Sequence, residues 1–252
     1  NMNKWSRMGG AWNYLYLGGG ENDISESTGY GQLYYEQDLD IDRTIRITGY
    51  GSSAGPGGAL SYNQSFTDGE WGVSLFGKVP YVDYASAIQD DAYWNGVGAH
   101  WEKQWLDDWR MSTDVYWKNW GGNEQSSISG SEAEVTLSRR LPWGRSLYAS
   151  YGWRGAWRSE AGTEYWLSKR RNRHSLGLYT SHQWRRWCRS WLSGGYSYDF
   201  HYDHGGVYAG TGMEYLISDA NVAHLEASYS KDHGTRDNPG VFRFILGWKR
   251  YF

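Results

Sequence analysis

The last segment of the chain sets the pattern. Phe242, Phe244, Leu246, Trp248 and Phe252 fall on one side of a period-two repeat, and Arg243, Lys249 and Tyr251 on the other. A β-strand places successive side chains on opposite faces in this way. The alternation recurs upstream. Leu225, Ala227 and Tyr229 oppose His224, Glu226 and Ser228; Val207, Ala209, Met213 and Tyr215 oppose Tyr208, Gly210, Gly212 and Glu214; Leu192, Tyr196, Tyr198 and Phe200 oppose Ser193, Ser197, Asp199 and His201. Leu147, Ala149, Tyr151 and Trp153 oppose Ser150, Gly152 and Arg154, Ala133, Val135 and Leu137 oppose Glu132, Glu134 and Thr136, and Met111, Val115 and Trp117 oppose Ser112, Asp114 and Lys118. Segments near 91–105, 71–79, 43–50 and 30–39 follow suit, giving about fourteen strands, an even number as in single-chain bacterial barrels.

The spacing between strands carries a second regularity. Short connections are expected near Leu39–Asp42, Thr67–Glu70, Leu106–Asp108, Arg140–Gly144, Trp184–Arg189 and Ser218–Asn221, and longer ones at 18–28, 51–58, 81–92, 121–130, 158–172 and 231–239, with a brief one at 202–206. Short turns at one end and long loops at the other are the habit of outer-membrane barrels, with the short turns and both termini on the periplasmic side.

Composition then decides which all-β class this is. Aromatic residues make up 18 % of the chain, with 22 Tyr and 17 Trp, yet the mean hydropathy is −0.76. A soluble sandwich with so many rings would need a large dry core, and the aliphatic residues to fill one are scarce. No run approaches the ~18 apolar residues of a membrane helix. The reading that satisfies both facts is an all-β, transmembrane, antiparallel up-and-down β-barrel of about fourteen strands. It occupies residues 1–252 as a single domain in the outer membrane of a Gram-negative bacterium. The net charge of −3 argues against nucleic acid as a partner, because phosphate contact needs a basic field. The single Cys188 offers neither a disulfide framework nor a zinc cluster. The opening Asn1-Met2-Asn3-Lys4-Trp5 enters strand pattern at once, with no signal-peptide architecture. Either a signal has been removed or, the favoured expectation, these residues are the C-terminal part of a longer chain with a periplasmic repeat region.

In such a barrel the chemistry lies on the inward face. The alternation assigns to it the acids Glu36, Asp38, Glu102, Asp114, Glu132, Glu134, Asp199, Glu214 and Glu226. It assigns the bases Arg46, Lys78, Lys118, Arg154, Arg243 and Lys249, with His100, His201 and His224. Cross-strand pairing that holds the wall together explains any one of these charges. The rings on the same face, Tyr34, Trp94, Tyr116, Trp120, Tyr148, Tyr179, Trp191 and Tyr208, either fill the lumen or stack against the apolar faces of sugar rings while carboxylates and hydroxyls exchange hydrogen bonds with sugar OH groups.

Two resemblances follow from these residues. The ending Gly247-Trp248-Lys249-Arg250-Tyr251-Phe252 resembles the C-terminal signal by which bacterial outer-membrane barrels are recognised for assembly, with Gly247, Trp248 and Phe252 as its matching positions and Arg250 as a departure. The Tyr- and Trp-rich alternation, the acidic lumen, that terminus and the start in mid-chain resemble the C-terminal porin domains of synthase-dependent exopolysaccharide exporters of the cellulose, poly-N-acetylglucosamine and Pel type. This resemblance implies a passive conduit, a periplasmic tetratricopeptide-repeat segment ahead of the barrel, and periplasmic or inner-membrane synthase components as partners. Sixteen strands are usual in that family.

The expectation is therefore a channel that passes a hydrophilic polymer, above all an exopolysaccharide, outward without chemistry, cofactor or metal, embedded among outer-membrane lipid and lipopolysaccharide. A general diffusion porin, or a barrel for protein secretion or surface display, is the alternative. An outer-membrane enzyme is the third reading, with Asp199 and His201 two apart on one face and His224 two strands on, but with no serine motif beside them. The basic run Lys169-Arg170-Arg171-Asn172-Arg173 is expected in an outer loop, where it could meet lipopolysaccharide phosphates. Trp184-Arg185-Arg186-Trp187-Cys188-Arg189 is expected as a periplasmic turn, and the glycines of 51–58 as an outer loop.

Overall fold

The computed structural model describes residues 6–18, 26–81, 90–105, 108–123, 127–143, 146–160, 169–233 and 240–252. They form fourteen strands: β1 (Ser6–Gly18), β2 (Glu26–Asp40), β3 (Arg43–Ser52), β4 (Gly55–Phe66), β5 (Gly69–Pro80), β6 (Tyr93–Trp105), β7 (Trp109–Gly121), β8 (Ile128–Arg140), β9 (Leu147–Arg158), β10 (Arg170–Arg185), β11 (Cys188–Asp199), β12 (His204–Ser218), β13 (Asn221–His233) and β14 (Gly240–Tyr251). Each pairs antiparallel with its chain neighbours, and β1 pairs with β14 from Arg7 opposite Tyr251 to Gly18 opposite Gly240. The sheet is closed and has no edge, the condition for spanning lipid with strands, since an unpaired backbone donor or acceptor in hydrocarbon costs several kcal/mol.

The register assigns both faces. Residues paired across two strands point the same way, so the chain of pairs Arg243–Leu15–Thr28 at one level, or Lys249–Gly9–Tyr34–Thr48 at another, stays on one face around the wall. The opposite face carries the exposed large hydrophobics: Leu33 and Leu176 at 65 %, Leu192 at 58 %, Ile47 and Leu75 at 57 %. Aliphatic side chains dominate the middle of this face. Tyr14, Trp117, Trp157, Tyr196 and Tyr229 lie toward one rim and Trp105, Trp184, Trp187 and Trp248 toward the other. An aliphatic belt between two aromatic girdles is the surface that meets a bilayer, aromatic rings being at home at the level of the headgroups. The molecule is a closed, fourteen-stranded transmembrane β-barrel. Its strands run from 10 to 16 residues, and all but the shortest exceed the ~9–11 needed to cross, so their ends project beyond the hydrocarbon.

Turns at the end shared with the termini are tight, at 41–42, 67–68, 186–187 and 219–220. Four local features differ from the expectations above. The segment 51–58 is not a loop: β3 runs to Ser52, β4 starts at Gly55, and a two-residue turn joins them. Gly55 there adopts φ 95°, a left-handed conformation open to glycine without steric cost. The basic run 169–173 is not a loop either, because β10 begins at Arg170 and Arg171 pairs with Ala156, Arg173 with Arg154. Lys78 leaves the inward alternation at a bulge between Phe76 and Val79. It takes φ 50°, its amide donates to Asn95 Oδ1 at 2.8 Å and its Nζ lies 5.2 Å from the Tyr93 ring, both partners being on the outward register of β6. His201 lies in the turn after β11, not on its inward face.

Candidate channel lining

Every acid assigned to the lining stands on the inward register, and most are held by a base on a neighbouring strand. Arg7 Nη2 reaches Glu36 at 2.6 Å and Asp38 at 2.9 Å, while Arg46 lies 4.0 Å from Glu36. Glu102 pairs with Arg110. His100 Nδ1 meets Asp114 at 2.9 Å, and the Tyr116 hydroxyl donates to the same carboxylate at 3.3 Å. His224 lies 4.0 Å from Glu214 and 3.5 Å from Glu226. Glu134 is exposed, opposite Asp114 on one side and Arg154 on the other. Side chains directly across an antiparallel ladder are near enough for such pairs to form.

Glu132 is the most enclosed of the acids. Lys118 Nζ donates to it at 2.7 Å, Arg154 Nη2 at 3.4 Å, and Arg158 Nη2 pairs with its other oxygen. The Glu132 side chain is 6 % exposed and that of Arg158 3 %. Lys118 and Arg158 each lie over aromatic rings, Lys118 4.6 Å from Trp94 and 4.8 Å from Tyr116, Arg158 4.7 Å from Trp120. Trp120 is fully buried with Ile128 and Ala92, flanked by Trp94 and Tyr81. Of the rings singled out in the sequence, it packs the wall and presents no face to a solute.

Asp199 is also enclosed. It accepts the amides of His201 at 2.9 Å and Asn172 at 3.4 Å, and Arg171 Nε stands 3.8 Å away. The Asp199–His201 contact is thus a backbone turn contact, and the His201 ring packs against Tyr202. The pair expected for the enzyme reading does not form a side-chain dyad.

Four of the remaining rings share a construction that single-strand alternation does not reveal. Tyr34 stands opposite Gly9, Tyr116 opposite Gly98, Trp191 opposite Gly212 and Tyr208 opposite Gly195. In each case the ring lies down over the bare backbone of its partner. A Cβ on Gly212 would come within 2.1 Å of Trp191 Cζ2, one on Gly98 within 2.6 Å of Tyr116 Cδ1, and one on Gly9 within 2.6 Å of the Tyr34 ring. Tyr208 extends over two strands, its hydroxyl 2.5 Å from a Cβ at Gly195 and 2.1 Å from one at Gly177. Trp191 stacks on His224 with centroids 5.3 Å apart and planes 26° apart. Arg46 covers Tyr34 at 3.9 Å. Trp94 packs against Phe76 at 4.7 Å, and Tyr148 against Tyr179 at 6.2 Å.

Sequence reasoning missed several inward bases, Arg7, Arg110, Arg158, Arg171 and Arg173 among them, which offset the acids, so that the lining is mixed in charge and not acidic. The signal that could have found Arg171 and Arg173 was their own alternation, with Arg170 and Asn172 on the other register. Along the arc from β9 to β14 they help line a cavity of about 330 Å³, together with Arg154, Arg243, Glu226, Trp191 and Tyr208. The assembly-signal positions lie on β14, Gly247 opposite Ala11 and Trp248 opposite Gly10, and Phe252 follows the strand with its amide bonded to the Ser6 carbonyl at 3.0 Å.

No protein-family model and no curated protein sequence matches this chain. Its fold is similar to solved structures. A protein described as a bacterial polysaccharide outer membrane secretin superposes with TM-score 0.64 at 13 % identity, covering 99 % of this chain and 97 % of that one. The CymD monoaromatic hydrocarbon channel superposes with TM-score 0.60 at 9 % identity, over 98 % and 88 %. Identities this low speak for architecture alone, and the architecture this chain shares is that of an outer-membrane β-barrel.

Proposed function

We propose that this barrel is an outer-membrane channel through which a hydrophilic polymer, an exopolysaccharide, passes outward without chemistry. The observation that carries the reading is the set of inward rings laid over cross-strand glycines. Flattened rings take little width from the lumen, and Trp191 and Tyr208, which line the open cavity, present ring surface to it, the geometry for weak stacking on sugar rings. The surrounding wall supplies hydroxyls and paired charges, which exchange hydrogen bonds with sugar OH groups without presenting a deep trap, and a conduit requires binding loose enough to release. Fourteen tilted strands about 4.8 Å apart enclose a backbone cylinder roughly 25–30 Å across. Two layers of side chains then leave a width suited to a single hydrated glycan. The secretin-like protein of similar fold is a polysaccharide protein by its description; that agrees with the reading without carrying it.

The test is single-channel recording of the purified barrel in planar bilayers with neutral glucan oligosaccharides added to one side. The expected result is transient current block at concentrations where polyethylene glycol of equal hydrodynamic size gives about tenfold less, with the difference reduced in Trp191→Ala and Tyr208→Ala. Equal block by glycan and glycol, unaffected by either substitution, would favour a diffusion channel for small solutes. Glu134→Lys, which changes an exposed inward carboxylate, should shift the reversal potential toward anions.

A further inference from the structure

The turns at the end shared with the termini, the periplasmic end in barrels of this kind, differ in charge. Those after β2, β4, β6 and β12 carry Asp40 and Asp42, Asp68, Asp108, and Asp219. The turns after β8 and β10 are different: from 135 to 150 and from 175 to 198 the chain has six arginines and no Asp or Glu. These two turns are neighbours in the wall. β9 and β10 pair as far as Leu147 opposite Thr180, and the Ser181 amide continues the ladder to the Ser146 carbonyl at 3.2 Å.

Two of the arginines have acids close by. The Arg140 amide bonds to the Asp108 carbonyl at 2.8 Å, and Arg189 is the cross-strand partner of Glu214 on the lining. Arg139, Arg185 and Arg186 do not. All three are exposed, and among the described residues none of them forms an ion pair. Arg139 stands opposite Trp109 and Ala149, and Arg185 opposite Cys188, so no carboxylate faces either across a rung. The other outward bases of this rim stand beside acids. Arg43 lies 3.8 Å from Asp42, Lys103 shares a hollow with Asp68 and Glu70, and Arg250 is opposite Asn221, two residues from Asp219.

The rings on the same arc say what meets this charge. Trp184 is 63 % exposed, with its Nε1 donating to Ser190 Oγ at 2.7 Å. Trp187 packs edge-on against Tyr215 at 5.0 Å, and the Arg139 guanidinium lies 5.1 Å over the Trp109 ring. These positions are on the outward side of the wall, in the aromatic girdle, where indole rings settle at the level of the headgroups. A guanidinium group held among them is at the depth of lipid phosphate, whose oxygens it binds through paired N–H donors. A protein docked from the periplasm would meet the turn tips, whereas Arg139 and Arg185 face sideways into the bilayer surface.

We infer that the β8–β11 arc of this rim is a binding surface for anionic phospholipid of the periplasmic leaflet, with Arg139, Arg185 and Arg186 holding headgroup phosphate between Trp184, Trp187 and Trp109. The acidic turns confine the surface to this arc. Each base near an anionic headgroup raises affinity roughly fivefold, so three acting on one or two lipids give a measurable preference.

The experiment is native mass spectrometry of the purified barrel, equilibrated in detergent with equal amounts of phosphatidylglycerol and phosphatidylcholine of the same chains. Phosphatidylglycerol should be retained with about tenfold preference, falling to about twofold or less in Arg139→Gln/Arg185→Gln/Arg186→Gln. Replacement of the same three by Lys, which keeps the charge and loses the paired donors, should give an intermediate preference. Lys78→Gln/Lys231→Gln, which removes two bases from the opposite rim, should leave it unchanged. Folding is read from the gel shift of the barrel, and Arg185→Gln/Arg186→Gln, confined to one hairpin tip, serves in place of a triple variant that does not fold. Equal retention of the two lipids by the parent would overturn the lipid surface and leave the patch to an acidic periplasmic protein. A preference that survives the Gln substitutions would overturn it as well. None of these substitutions touches Trp191 or Tyr208, so this surface and the conduit reading can fail separately.

Discussion

Glu132→Gln isolates the electrostatics of the wall. The carboxylate is held by Lys118, Arg154 and Arg158, and the side chains of Glu132, Lys118 and Arg158 are 6 %, 11 % and 3 % exposed. Gln keeps the volume and a hydrogen-bond acceptor, so cavity formation contributes little. What is lost is the charge that compensates two nearly buried cations. Removing one partner of a buried ion pair costs about 3–5 kcal/mol, whereas an exposed pair contributes about 0–1 kcal/mol. Arg154, at 38 % exposure, is screened by lumenal water and adds little. The expected loss is therefore about 3 kcal/mol, which at a urea dependence of roughly 2 kcal/mol per molar lowers the unfolding midpoint by about 1.5 M. Reversible urea unfolding in lipid vesicles, followed by tryptophan emission and by the gel shift of the folded barrel, reads this directly. Glu132→Gln/Lys118→Met removes one stranded cation while keeping its apolar stem over Trp94 and Tyr116, and should recover about half of the loss. A midpoint for Glu132→Gln within about 0.3 M of the parent would refute the reasoning, because it would mean that water reaches the cluster and the pair behaves as an exposed one.

Two further perturbations test the faces of the wall. Leu33→Arg, at the middle of β2 on the apolar belt, should cost about 2–4 kcal/mol of folding stability in vesicles, while Ile41→Arg, in the adjacent rim turn, should cost about 0–1 kcal/mol; equal costs would argue that the belt does not meet hydrocarbon. Gly212→Ala should lift Trp191 off the wall, since the first atoms its Cβ meets are all in that flexible ring. Its effect on glycan block should match that of Trp191→Ala, with folding retained, and unchanged block would show that the flattened ring is not a contact for sugar.

The strands were legible in the sequence because a barrel wall between lipid and water imposes the same period on every crossing. Phe242, Phe244, Leu246 and Trp248 could belong to one face of a strand, and the closed sheet places them there. The charged starts of strands were harder to read. Lys169-Arg170-Arg171-Asn172-Arg173 has the composition of a loop, but at the rim of a barrel Arg170 and Asn172 project where headgroups begin and Arg171 and Arg173 reach an aqueous interior, so neither face forbids a charge. Gly-rich 51–58 misled for a related reason: glycine marks loops in soluble proteins, while here it supplies both the tight turn at Gly55 and wall positions such as Gly57 and Gly58. Asp199 and His201 were separated by a strand end that alternation alone does not mark, since the turn continues the period for two residues before the register breaks.

The lining was legible only one strand at a time, and its construction depends on pairs. Tyr208 and Gly195 are 13 positions apart, Trp191 and Gly212 are 21, Tyr116 and Gly98 are 18, Tyr34 and Gly9 are 25, yet each pair is one rung of the ladder. A glycine in a strand interior weakens it through lost packing and added chain entropy. A ring on the neighbouring strand restores the packing by covering the bare backbone, and in doing so lies flat. The two residues are thus a single device that keeps the wall sealed while leaving the lumen wide. The device also gives the inward glycines a use beyond flexibility: Gly195 and Gly212 determine where the Tyr208 and Trp191 rings lie along the lining, and on the conduit reading proposed above they set where along the wall a sugar would pause.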